Sequence, residues 1–142
     1  MEITELEKLR DRVCAAITSD PSTCNYQELL TALEQIPIRD GLLRNLYDNP
    51  ELRAQAALNL ANLLEQDCGA AKSTVATVLA GCCWLDEDFA STRKALDIAL
   101  SADSTYSLAR LLDVALVHGV PPSVWADSLA AVSPEQCLTG AA

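Results

Sequence analysis

The chain has 142 residues, half of them hydrophobic, and its 10 basic and 20 acidic side chains give a formal net charge of −10. This length suits one domain whose core needs neither disulfides nor metals, and the apolar content argues against disorder. Because the chain is acidic and has no cluster of Lys or Arg, we expect no nucleic-acid or membrane-surface binding. Its apolar residues are mostly Leu and Ala, 23 and 22 in number, which favours helices over strands.

Helical spacing of apolar residues predicts a first helix from Ile3 to Ser19. Its apolar stripe consists of Ile3, Leu6, Leu9, Val13, Ala16 and Ile17. The segment 20–22 ends this helix, and Asn25 is a predicted cap of the second. The second helix is expected to stop before Pro37, because the residue preceding a proline disfavours the helical conformation. Its predicted buried residues are Leu29, Leu30, Leu33 and Ile36.

A short third helix is predicted from Asp40 to Tyr47, and a fourth from Pro50 to Gln66, with Asn49 as its cap. Gly69 is suited to a left-handed position after the fourth helix. The fifth helix, about 71–85, is apolar nearly all round, which is typical of a central, buried helix. Gly81 lies inside it, and we expect a close helix crossing there.

Asp88 is a predicted cap for a sixth helix that runs to about Leu100. A seventh helix is predicted to start at 103–104 and to end at 118–119, and a final helix follows from Pro121. These elements predict an all-α fold, an irregular helical bundle or short right-handed stack of about seven or eight helices. We expect residues 1–132 to form a single domain and residues 133–142 to be a frayed tail.

Cysteine and targeting patterns predict a cytoplasmic protein. No Cys-x-x-Cys pair occurs, and His118 is the only histidine, so we expect free thiols with no metal and no cofactor; a redox role is the alternative. The first residues lack a basic start followed by an apolar run, and no stretch of 18 apolar residues occurs. The six cysteines are Cys14, Cys24, Cys68, Cys82, Cys83 and Cys137.

The stretch 84–103 resembles one tetratricopeptide repeat. The residues that match its pattern are Leu79, Ala80, Phe89, Leu96 and Ala99. Two positions depart from it, since Thr92 replaces the small residue and Ser104 the closing proline. A single degenerate unit implies a helical hairpin in the C-terminal half and does not imply a peptide-binding groove.

A wider pattern resembles the C-terminal part of an actinobacterial domain-of-unknown-function family, number forty-one ninety-two. It consists of the segments 38–43, 84–103, 106–112 and 119–125 in that order, and it covers about residues 25 to 130. The resemblance implies an actinobacterial cytoplasmic protein and carries over no catalytic residue. It leaves open whether the chain is a full-length protein or an excised domain.

Five charged residues are candidates for a polar site or for structural ion pairs: Arg39, Asp40, Asp86, Asp88 and Arg110. The acidic turn 86–88 could be read as a site for acid–base or metal chemistry, but a turn that caps the next helix explains it fully. Arg110 lies on an apolar helix, so it either extends its head into water or forms a buried ion pair with Asp97 or Asp113. We assign structural roles to Gly81, Phe89, Leu96, Ala99, Tyr106 and Trp125, the last two packing on the final hairpin.

No catalytic signature is present, so the sequence predicts a non-catalytic protein-interaction or assembly module. The alternative is an enzyme or small-ligand binder with a site between helices that uses acidic residues and Arg39 or Arg110. A flat apolar patch favours the module, whereas a deep pocket lined by those polar groups favours the alternative. The first helix lies largely outside the family resemblance, so we expect its stripe either to fold back on the core of the same chain or to contact another chain, as a protein partner or as a homodimer through the N-terminal helices.

Overall fold

The fold is described by a computed structural model for residues 2–124. This part of the chain contains seven α-helices, three short 3₁₀ turns and no strand, so the all-α prediction is confirmed. Residues 122–124 are also helical and begin the predicted final helix, whereas the rest of that helix, Trp125 and the predicted tail lie outside the described residues. The helices are α1 (Ile3–Thr18), α2 (Tyr26–Leu33), α3 (Ile36–Asp48), α4 (Arg53–Leu64), α5 (Lys72–Leu85), α6 (Phe89–Ala102) and α7 (Ser107–Val117).

The apolar stripe of α1 packs on its own bundle. Val13, Ala16 and Ile17 are fully buried, while Leu6 and Leu9 are partly buried against the same core. The helices that α1 contacts most are α3 and α4. Apart from Ile3, which is 49% exposed, the stripe is therefore covered by the core of the same chain, which removes the reason for expecting a dimer through the N-terminal helices.

The predicted boundary at Pro37 is wrong. Helix α2 already ends at Leu33, and Pro37 lies in the first turn of α3, which runs on to Asp48. The first turn of a helix has no intrahelical acceptor for its N–H groups, so a proline there costs no hydrogen bond. Ile36 opens α3 and is exposed, although the sequence pattern predicts that it is buried.

Two further helix starts differ from the prediction because short polar side chains close turns instead of capping helices. Asn49 donates its side-chain N–H to the carbonyl of Asn45, and a 3₁₀ turn precedes α4. Asp103 accepts a hydrogen bond from the backbone N–H of Thr105, and α7 begins only at Ser107. Gly69 has a φ of 53°, the left-handed conformation predicted for it, although α4 ends well before it at Leu64.

Helix α5 holds the bundle together, as its apolar composition predicts. One buried cluster is formed by α1 to α5, and a second by α5 to α7. Leu79 on α5 packs against both clusters, as do Leu64 and Leu108. Gly81 is buried on this helix, and its position at a close crossing stays a prediction.

Five cysteines fall within the described residues, and all five are free thiols. Burial raises the pKa of Cys14 and of Cys82 to about 12, although a nearby arginine lowers the pKa of each thiol. Burial also raises the pKa of Cys83, to about 11. These thiols therefore remain protonated at neutral pH, which makes them poor nucleophiles.

We expect the buried thiols to destabilise the protein in alkali. Above about pH 9 the thiols of the unfolded chain ionise, whereas those of Cys14 and Cys82 in the folded chain do not, so unfolding releases protons. Stability should then fall by about 1.4 kcal/mol per pH unit for each thiol. Urea denaturation at pH 8 and pH 10 measures this loss, and the Cys14→Ala/Cys82→Ala variant is the control. Equal losses in the two proteins would contradict the prediction.

Candidate functional site

Arg39 and Asp40 belong to a polar cluster that joins three parts of the bundle. Arg39 lies on α3, where its Nε donates to Asp40 Oδ1 at 2.8 Å. Its Nη1 donates to the hydroxyl oxygen of Tyr106 at 3.0 Å, and Thr74 of α5 donates to the same oxygen at 3.0 Å. Tyr106 also packs against the second core cluster. The cluster thus fixes the start of α7 on α3 and α5, which is a structural role.

Asp86 forms an ion pair with a residue that sequence reasoning missed. Arg53, the first residue of α4, is only 8% exposed, and its Nη1 lies 2.9 Å from Asp86 Oδ1. Arg53 also donates to the carbonyl oxygens of Leu46 and Tyr47, at 2.7 and 3.1 Å. No local sequence pattern predicts that Arg53 is buried and paired, because all of its partners come from other elements.

Asp88 caps α6, as the sequence predicts. Its carboxylate accepts a hydrogen bond from the backbone N–H of Ser91 at 3.2 Å. Hydrogen bonds from the side chain and backbone of Ser91 lower the pKa of this carboxyl. Within residues 2–124 no group of three or more His, Cys, Asp or Glu residues is placed to hold a metal ion. The hydrogen bond of Asp88 therefore supports helix capping, one of the two interpretations of the acidic turn.

Three residues with predicted structural roles lie on α6. Leu96 and Ala99 are fully buried in the second cluster. Phe89 opens the helix and is exposed over nearly half of its surface, so its ring is only partly packed.

Of the two alternatives for Arg110, the structure agrees with the side chain that extends into water and not with the buried ion pair. Arg110 is exposed. The two candidate acids are instead held by Arg93, which lies 2.9 Å from Asp97 and 2.6 Å from Asp113. Hydrogen bonding to Asp113, and secondarily to Asp97, raises the pKa of Arg93. Arg93 therefore links α6 to α7 through these two ion pairs. Arg110 lies on the outer side of α7.

The outer side of α7 is an exposed apolar surface, which we call the α7 face: Leu111, Val114 and Val117, with Arg110 and His118 beside them. The exposed fractions of the three apolar residues are 61%, 55% and 68%. They recur every three residues and so lie along one side of the helix, while Ala109 and Leu112 on its other side are buried. Val124, soon after the helix, is also more than half exposed.

Arg110 differs from the other arginines of the described chain in having no ion pair. Each of the other six lies within 4.0 Å of an acid. The paired arginines are Arg10, Arg12, Arg39, Arg44, Arg53 and Arg93. The α7 face therefore presents a cation beside apolar side chains, in a chain whose net charge is strongly negative.

The sequence contains one signal for this surface. Six of the eleven residues of α7 are Leu or Val, more than one side of a helix can bury against a single layer. The excess predicts an apolar side left over. Which side is left over depends on how α7 packs on α5 and α6, and that packing is a tertiary property.

The fold and the α7 face define a small all-α domain with an exposed apolar helix. The chain belongs to the family described as a domain of unknown function, DUF4192, whose model matches residues 2–123. This match includes α1, so the prediction that the first helix lies largely outside the family is wrong. No curated protein and no solved structure matches the chain. Among the described residues, no helix is long and apolar enough to cross a membrane.

Proposed function

We propose that this protein is a non-catalytic interaction module that docks an amphipathic segment of another protein on the α7 face. The observation that carries the proposal is the row of Leu111, Val114 and Val117 exposed along one helix. Exposed apolar residues that adjoin one another mark interaction sites more often than scattered ones do. The α5–α6 hairpin beside α7 is the part that resembles a tetratricopeptide repeat, a class that presents helix surfaces to other proteins.

The cavities of the described chain give the alternative site less support. An enzyme or ligand binder built on the predicted polar residues needs a pocket into which they converge. Arg39, Asp40 and Asp86 are instead engaged in ties between helices, and Arg110 is on the outer surface. None of these four residues lines any of five cavities found in the described part of the chain.

The charge beside the α7 face specifies the partner. Arg110 has no acid within the described chain, so a partner that brings an Asp or Glu gains a charge-assisted hydrogen bond at the edge of an apolar contact. Arginine is also enriched among the residues that contribute most of the binding energy of protein interfaces. We therefore propose a partner helix with three apolar residues at helical spacing and an acidic residue next to them.

A second copy of this chain fits the α7 face less well. In an antiparallel pair of α7 helices centred on Val114, Leu111 lies opposite Val117 of the other copy, which suits an apolar contact. The same geometry places Arg110 opposite His118, which supplies no negative charge. The homodimer is thus the weaker form of the proposal.

The free, buried thiols of the described residues suit a reducing compartment. Together with the family resemblance, this supports a role in the actinobacterial cytoplasm.

Site-specific photo-crosslinking tests the proposed docking. A photoreactive amino acid replaces Val114 in the full chain, expressed in cells of the source organism, and the matched control carries it at exposed Ser101 of α6. We expect an adduct at position 114 alone, joined to a foreign peptide that has an acidic residue beside apolar ones.

Each other outcome of the crosslinking counts against the proposal. An adduct to a second copy of the chain would mean that the α7 face mediates self-association and does not bind a foreign partner. Equal adducts at both positions, or none at position 114, overturn the α7 face as a docking site. The additional substitution Arg110→Glu should abolish the adduct, since it puts two acids face to face.

A further inference from the structure

A cavity of about 290 Å³ lies where the C-terminal end of α7 meets the turn between α5 and α6. Two aromatic residues line it, Trp84 near the end of α5 and Phe89 at the start of α6. Leu116 of α7 and Val120 add aliphatic walls, and Glu87 is the one charged residue among the described residues that line the cavity. The cavity therefore suits an apolar occupant, above all an aromatic side chain.

The chain turns back towards this cavity after α7. Gly119 has a φ of 67°, the left-handed conformation that commonly ends a helix. Its N–H donates to the carbonyl oxygen of Leu116 at 3.2 Å, and the N–H of Val120 donates to that of Ala115 at 2.9 Å. These hydrogen bonds reverse the direction of the chain, and Val120 and Pro121 consequently line the cavity.

Trp125 is the first residue beyond the described chain and follows Pro121 by four positions. Residues 122–124 are helical, and the N–H of Val124 donates to the carbonyl oxygen of Pro121 at 3.1 Å. The sequence predicts that this helix continues through Trp125. Because positions four apart share one side of a helix, its continuation carries Trp125 to the side on which Pro121 lines the cavity.

We propose that this cavity is the docking site of Trp125 of the same chain, which would hold the predicted final helix against α6 and α7. The indole ring suits the aromatic and aliphatic walls, and the volume of about 290 Å³ takes one large aromatic side chain. Because only three residues separate Trp125 from Pro121, its effective concentration at the cavity is far above that of a side chain from another protein. The connection 118–121 is also of a length that is typical of antiparallel helix pairs.

Quenching of tryptophan fluorescence by acrylamide in the full chain tests where Trp125 lies. The chain has two tryptophans, and Trp84 is only 2% exposed, so the quenching reports mainly on Trp125. The additional substitution Trp125→Phe in each chain gives the contribution of Trp84, which is subtracted. We expect weak quenching of Trp125 in the unmodified chain and about threefold stronger quenching in Phe89→Asp, because a charge in the wall of the cavity disfavours the indole there.

Ile98→Asp is the matched control, since Ile98 lies on the same helix as Phe89, is 39% exposed against 45% for Phe89, and does not line the cavity. It should leave the quenching of Trp125 unchanged. Strong quenching in the unmodified chain, or equal quenching in the two variants, would overturn the proposal. Quenching that weakens as the protein concentration rises would assign Trp125 to the cavity of a second copy, which would also contradict it.

Free indole provides a second test, read by differential scanning calorimetry. Trp125→Ala should lower the melting temperature by about 5 °C, and indole should restore part of that loss by filling the emptied cavity. The melting temperature of the unmodified chain should not respond to indole, because Trp125 already occupies the site. Indole that stabilises both chains equally would make the cavity a vacant ligand site, and indole that stabilises neither would mean that Trp125 lies elsewhere. Neither measurement involves the α7 face, so this proposal and the proposed function can fail independently.

Discussion

Replacing Arg53 by Met should lower the free energy of unfolding by about 3 kcal/mol, because it removes charged donors from two carbonyl groups as well as an ion pair. Arg53 is buried, and the carbonyl oxygens of Leu46 and Tyr47 accept its hydrogen bonds at the end of α3. Met fills similar space but donates nothing, so these acceptors lose their partner. Urea denaturation at neutral pH measures the loss.

The control for Arg53 is the change Asp86→Asn. The side chain of Asp86 is 45% exposed, so its ion pair with Arg53 is screened by water. We expect this change to cost about 1 kcal/mol or less. Equal losses for Arg53→Met and Asp86→Asn would show that the ion pair, and not the bonds to the carbonyls, is what matters.

Gly81→Leu should lower stability by about 1–3 kcal/mol, since it forces a large side chain into a packed interior. Gly81 is buried on α5, the helix shared by both core clusters. The gain in helix propensity, about 1 kcal/mol, opposes this cost and is smaller.

Ala61→Leu is the matched control for Gly81, because Ala61 is exposed on α4 and should tolerate Leu with little change. Thermal denaturation of both variants decides the matter. A higher melting temperature for Gly81→Leu would mean that no close crossing exists at this position.

Features that depend on neighbours in the chain could be predicted from the sequence. The central position of α5 follows from an apolar surface on all sides, and the cap at Asp88 follows from an acid placed just before a helix. Both are confirmed, because local chemistry alone decides them. The family membership is likewise confirmed.

Features that depend on partners far along the chain could not be predicted. Pro37 is compatible with two local patterns, because a proline can follow the end of one helix or lie in the first turn of the next. Which of the two occurs depends on how α2 and α3 pack, and in the structure Pro37 lies in the first turn of α3. Arg93 forms ion pairs with Asp97 and Asp113, the two acids that are possible partners of Arg110 in the sequence. The spacing of these residues does not favour one arginine over the other. The candidate surface follows from that choice, since it leaves Arg110 exposed.

The proposed function depends on one helix and on the charge beside it. In the proposed interaction, Leu111, Val114 and Val117, which are exposed, would supply the apolar contact and the exposed Arg110 would recognise an acid. Apolar contact alone would tolerate many partners, whereas a charge at the edge rejects those that place a cation there.

The most direct measurement is the affinity of the captured segment, made as a synthetic peptide, for the unmodified protein and for Arg110→Glu. We expect Arg110→Glu to weaken binding at least tenfold, and a peptide with Lys in place of its acid to restore it. A peptide that binds both proteins equally well would contradict the proposed docking, since Arg110 would then play no part in recognition.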